Sequence, residues 1–156
     1  MLNPRRIWDT LLAVAVMMVS AVSVLFILMP IPALRALNPL FFADDAPAIS
    51  GAAAEGYVAF VFGVLGAVML GWMSALLFII RGPLRRRSRG AWWQVVASVA
   101  IWFVPDCAVS LWWGYPENAA GKVAFAILFA VPLIGMRSEL VDDMPSPSPA
   151  ARPALR

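Results

Sequence analysis

The chain has no histidine, one cysteine (Cys107) and few charged residues for its length. Each shortage excludes a chemistry. Without histidine there is no imidazole to ligate haem or a transition metal, and no side chain that titrates near neutrality for general-base work. With one thiol there is no intrachain disulfide and no Cys-x-x-Cys redox pair, which excludes the four-span thiol oxidoreductases. No phosphate-binding glycine loop, zinc-ligand spacing or nucleophile elbow occurs. Asp44, Asp45 and Glu55 form a loose acidic group with too few ligands for a metal. No metal site and no cofactor are therefore expected. Any catalysis would fall to carboxylates, Lys122, tyrosine or serine.

Charged residues make up 13% of the 156 positions, and hydrophobic residues 62%. A soluble domain is nearer about 25% charged and about 45–50% apolar. That contrast places the chain among integral membrane proteins. Four apolar stretches, about 7–29, 52–80, 91–113 and 117–136, are each long enough to cross a bilayer. The expected architecture is all-α: an integral membrane four-helix bundle, up-down-up-down, occupying 1–136. A polar cytoplasmic tail over 137–156 completes it, and a second soluble domain has no room. Pro145, Pro147 and Pro149 predict a disordered segment in the tail.

The first stretch follows Arg5 and Arg6, as a signal peptide would. Its apolar core exceeds the roughly 7–15 residues of a signal sequence, and no cleavage site follows, so it reads as a retained anchor. Pro30 and Pro32 end it. The outward connection 30–51 holds Pro32, Pro39 and Pro47. Its residues Leu34, Leu37, Leu40, Phe41 and Phe42 suit either a short helix on the membrane surface or an apolar loop. The second stretch exceeds one span, so it tilts or projects, and Arg81, Gly82 and Pro83 stop it. Gly114, Tyr115 and Pro116 make a tight turn between the last two spans, with Pro116 suited to a helix first turn.

Arginine placement sets the orientation. Ten arginines, among them Arg5, Arg6, Arg81 and Arg137, fall on the side of both termini and the 81–90 loop; Arg35 and Lys122 fall opposite. The positive-inside rule puts both termini in the cytoplasm of a cell with an inner (plasma) membrane. The net charge of +3 is thus a matter of topology, and no nucleic-acid partner is expected.

Four groups of residues are candidates for function. The first is polar. Asp106 lies eight residues before Gly114 and Lys122 eight after it, so a hairpin turning at Gly114 sets them at equal depth. Ser110 and Asn118 are matched in the same way, four residues nearer the turn. Residues four apart share a helix face, which predicts a polar ladder of Asp106, Ser110, Asn118 and Lys122; Glu55 of the second span is either a member of it or a charge that suits that helix's N-terminus. A charge in hydrocarbon is costly and marks a site by default. Pro105, which lacks an N–H, predicts a kink beside Asp106. The ladder reads either as a lock between two helices or as the wall of a cavity.

The second group is a stripe of small residues on the second span. Ala59, Gly63, Ala67, Gly71 and Ala75 recur every four residues, with Gly66 nearby. Such a stripe lets helix backbones approach closely, inside the bundle or between copies. The third is aromatic. Trp8, Trp92 and Trp93 mark the cytoplasmic interface, and Tyr57, Trp112, Trp113 and Tyr115 the outer one. Trp72 and Trp102 lie deeper, as core or as pocket lining. The fourth is the basic run Arg85, Arg86, Arg87 and Arg89, which suits anionic lipid headgroups as well as topology.

The stretch from Phe62-Gly63 to Gly71-Trp72, and the stretch Trp102-Phe103-Val104-Pro105-Asp106 to Ser110, resemble small four-span bacterial membrane proteins loosely grouped with the DoxX-like class. The likeness covers residues 7–136 and implies a fold. DoxX serves as a membrane subunit of an oxidase, and no motif here carries that role across.

Three functions fit this sequence. One is a non-enzymatic assembly subunit or scaffold, partnered by membrane lipids and by itself or another membrane protein. The second is an oligomeric proton-coupled transporter or permease using Asp106. The third is an intramembrane lipid-binding or lipid-modifying protein.

Overall fold

A computed structural model describes residues 4–41 and 51–140. The regular elements of these residues are helices: α1 (Pro4–Leu28), α2 (Pro30–Phe41), α3 (Ala52–Ile79), α4 (Arg89–Trp112) and α5 (Pro116–Gly135). A π turn, Ile80–Leu84, extends α3, and a 3-10 turn, Arg137–Glu139, follows α5. Four helices are long and apolar enough to cross a membrane. The protein is a multi-pass membrane protein built as an all-α bundle, as the composition predicts. The acidic pair Asp44–Asp45 and the proline-rich tail lie outside the described residues.

Local chemistry sets the boundaries. Pro30 opens α2 in the first turn, where the N–H it lacks would have no helical acceptor. Backbone bonds continue through the joint at Met29, whose N–H reaches the Leu25 carbonyl while its own carbonyl accepts from Ala33. Of the two alternatives for 30–41, helix or loop, the segment is a helix. The second span does not stop at Arg81-Gly82-Pro83, as the sequence suggests. It runs on to Leu84, a span of 33 residues. A π turn bonds i to i+5 and so bypasses the donor that Pro83 lacks. Ser88 then caps α4, its hydroxyl oxygen accepting from the Ala91 N–H at 3.0 Å.

The α4–α5 hairpin turns on Gly114, whose φ of +78° is the left-handed conformation that favours glycine. The Gly114 N–H bonds the Leu111 carbonyl, and the Tyr115 N–H bonds the Ser110 carbonyl. This is a Schellman pattern, which satisfies the last carbonyls of α4 and reverses the chain sharply.

α1 is the central helix. It packs along α3 on one side and against α5 on the other, and α4 lies against α5. α2 packs on α1, α3 and α5. In lipid there is no hydrophobic drive between helices, so close approach must hold them. Gly66 provides it: a Cβ there would lie 2.6 Å from the Ser23 carbonyl oxygen. The buried core gathers Leu12, Val16, Met73, Leu76, Leu84, Val95, Phe129 and Leu133. All of these belong to the arginine-rich half of the spans.

Two tryptophans of the expected interfacial belt are part of that packing. Trp92 is buried, and its indole N–H donates to the Leu133 carbonyl at 2.8 Å. This satisfies a carbonyl in the last turn of α5. Trp8 lies on Gly135, where a Cβ would come within 2.5 Å of the ring. Trp93, by contrast, is exposed, as a belt residue would be.

Candidate functional site

The polar ladder forms between α4 and α5. Equal counting from Gly114 works because the Schellman turn places both helices in register. The Lys122 ammonium donates to Asp106 Oδ1 at 2.6 Å and to Ser110 Oγ at 2.9 Å. Asn118 Nδ2 donates to the same Ser110 oxygen at 3.4 Å. The Ser110 hydroxyl in turn donates to the Asp106 main-chain carbonyl at 2.7 Å.

That last bond is a back-bond along α4, to the carbonyl four residues earlier. Pro105 lies within α4, which continues through it; the carbonyl it leaves without a helical donor is that of Ile101. A hydroxyl has one proton and two lone pairs. Ser110 spends the proton on Asp106 and offers its lone pairs to Lys122 and Asn118, so its capacity is filled. Ser110 is buried, and a buried hydroxyl with every bond made stabilises rather than costs. The ion pair is unevenly exposed: the Lys122 side chain is 13% accessible and that of Asp106 is 35%. The cation is enclosed between the helices, and the carboxylate reaches the surface of the bundle.

Glu55 does not join this group. Its carboxylate pairs with Arg35 of α2 at 3.2 Å, both side chains being well exposed. The pair ties the first turn of α3 to α2. Arginine in the 30–51 connection was the available sequence signal, since it carries the lone cation of that segment.

The small-residue stripe divides in two. Gly66, beside it, makes the contact with α1. Ala59 and Gly63 are partly covered, whereas Ala67, Gly71 and Ala75 are exposed. At both Gly63 and Gly71 a Cβ would meet no atom within 4 Å. The stripe is therefore not spent inside the bundle.

Arg87 is corrected as a headgroup ligand. It occupies the left-handed region, at φ +64°, and its guanidinium turns inward. It forks onto Asp9 of α1, with Nη1 to Oδ1 at 2.8 Å and Nη2 to Oδ2 at 3.3 Å, a bidentate geometry suited to carboxylates. Its Nε lies 3.2 Å from Glu139 Oε2. That contact is an ion pair without hydrogen-bond alignment, since the oxygen is buried with no hydrogen-bond partner among the described residues. Arg81, Arg85, Arg86 and Arg89 remain exposed at this end. The triad Asp9–Arg87–Glu139 had a signal in the sequence: acids at the arginine-bearing edges of the first and last spans.

Trp72 and Trp102 meet at 5.7 Å between ring centres, and the Trp72 indole donates to Ser98 Oγ at 2.6 Å. They join α3 to α4 at mid-span. Among the described residues no cluster of three metal-ligating side chains is present. Comparison of the chain with family models, with curated proteins and with solved structures finds no match, so the DoxX-like resemblance rests on the residues quoted for it.

Proposed function

We propose that the chain is a non-enzymatic membrane subunit that works by assembly, and that it docks on a second copy of itself through α3. The observation that carries this reading is the open half of the small-residue stripe. Gly71 has empty space where a side chain would stand, and Ala67 and Ala75 flank it on the same exposed face. Helices in lipid associate where small residues let backbones meet. A glycine kept on a lipid-facing surface otherwise weakens its helix, by about 1 kcal/mol relative to alanine. The internal contact to α1 uses Gly66 instead, which leaves the stripe for an external partner. Engagement of Asp106 by Lys122 supports a structural role for that pair over a proton-carrying one.

The orientation belongs to the same reading. The excess of arginine at the end holding Arg81, Arg85, Arg86 and Arg89 favours cytoplasmic termini in an inner membrane. Those exposed arginines would then face the anionic leaflet.

Disulfide trapping tests the assembly. In a Cys107→Ser background, single cysteines are placed at Ala67, Gly71 and Ala75, and at Ile101 and Ile134 as lipid-facing controls. Oxidation in native membranes is expected to give covalent dimers at the first three positions and little at the controls. Absence of dimers along the stripe, or equal trapping at every site, sinks the reading.

A further inference from the structure

Two helix faces meet at mid-span and part beyond it. On α3, Val61, Leu65, Val68 and Trp72 recur at the spacing of one helix face. On α4, Ser98, Trp102, Pro105 and Val109 recur at the same spacing. Trp72 touches both Ser98 and Trp102. Further from the arginine-rich end the same two faces are uncovered: Leu65 is 43% exposed, Val68 65% and Val109 56%. α3 and α4 share little contact overall. The wall of the bundle therefore opens sideways between them, over the half of the span that holds the ladder.

Asp106 lies on α4 between the face turned to α3 and the face turned to α5. Its side chain is the exposed member of the ion pair, at 35%. Its hydrogen-bonding capacity is not used up. Oδ1 accepts from Lys122, while Oδ2 has no bond among the described residues. The Lys122 ammonium has three donors, of which two are used. The site thus offers one acceptor and one donor side by side.

We propose that this lateral opening binds a neutral, hydroxyl-bearing acyl lipid, of the monoacylglycerol kind. The ion pair is already neutral as a unit. A ligand with net charge would add an uncompensated charge in hydrocarbon, which is strongly unfavourable. A hydroxyl instead donates to Asp106 Oδ2 and accepts from the third Lys122 proton. The acyl chain lies along Leu65, Val68 and Val109. Depth agrees: eight residues from Gly114 at ~1.5 Å each place Asp106 about 12 Å along the helix, where a lipid lacking a charged head can sink and a phosphate would have to leave water.

Photolabelling decides it. The full-length protein, in phosphatidylcholine nanodiscs, is exposed to 1-oleoylglycerol with a diazirine in its chain, and separately to oleoyl phosphate and oleoylamine carrying the same group. The expected result is labelling within 61–72 and 98–109 by the glycerol probe, with the charged probes about tenfold weaker, the worth of one hydrogen bond to a charged group. Leu65→Trp, at an exposed position, fills the opening and abolishes labelling while the protein stays folded. Asp106→Asn leaves Lys122 unpaired and transfers the preference to oleoyl phosphate. Gly71→Leu, which obstructs the assembly face, leaves labelling unchanged, so the two proposals fail separately. Equal labelling by all three probes, undiminished labelling in Leu65→Trp, or a cross-link joining two copies across Val68 and Val109 would overturn the assignment.

Discussion

At the scale of the residue, the ladder acts as one unit centred on a serine. Lys122 is the enclosed charge, and Asp106 is its counter-ion. Breaking such a pair from one side strands a charge, whereas removing both partners strands none. Asp106→Asn and Lys122→Met are each expected to destabilise the protein by about 2–3 kcal/mol, and the double change to recover most of the loss. Unfolding in mixed micelles measures all three. Ser110→Ala removes the oxygen shared by Lys122 and Asn118 and should cost about 1–2 kcal/mol in the same assay. These residues were legible in the sequence because a tight turn converts counting into depth. The partners of Glu55 and Arg87 were marked only by their charge, not by spacing. Both pairs join segments far apart in the chain, and spacing carries no information about which distant helix will lie alongside.

The element that best separates internal from external packing is α3. Its two kinds of glycine make opposite predictions. A methyl at Gly66 would press on the Ser23 backbone at 2.6 Å and on Phe26 Cβ at 2.9 Å. Gly66→Ala should therefore cost about 1–3 kcal/mol, as overpacking does. Gly71→Ala meets open space and should stabilise the monomer by up to about 1 kcal/mol, while weakening disulfide-trapped dimers. Thermal melts in detergent read the first effect and trapping yields the second. The sequence pattern marked the stripe as a packing surface but could not say what it packs on. That depends on the rotation of α3 about its axis, which Gly66, Met73 and Leu76 fix against α1. The π turn at Ile80–Leu84 escaped prediction for a local reason: Gly-Pro ordinarily ends a helix, and only the wider turn lets it continue.

At the scale of the molecule, stability is graded along the membrane normal. The largest buried cluster, the Trp92 bond to α5 and the triad on Arg87 lie toward the arginine-rich end, while α3 and α4 part toward the other. Regions with few buried contacts open more readily. Hydrogen exchange in nanodiscs is expected to show slow exchange in 12–19 and 73–80, and faster exchange in 104–113. Uniform protection from end to end would contradict the graded packing. For orientation, a reporter active only outside the cytoplasm should be silent when fused after residue 156 and active when inserted within 42–50. The four spans were legible because bilayer thickness dictates their length. The unequal tightness of the two halves was not, because it arises from how the helices lean together. The triad adds a matter of timing. Asp9, Arg87 and Glu139 come from the first span, the middle loop and the end of the last span. During synthesis Arg87 can grip Asp9 as soon as two spans are inserted, but Glu139 emerges only when the fourth is complete. A chain halted before that point has Arg87 paired with Asp9 but lacks the second carboxylate, so the closed triad is a mark of finished insertion that a truncated chain does not carry.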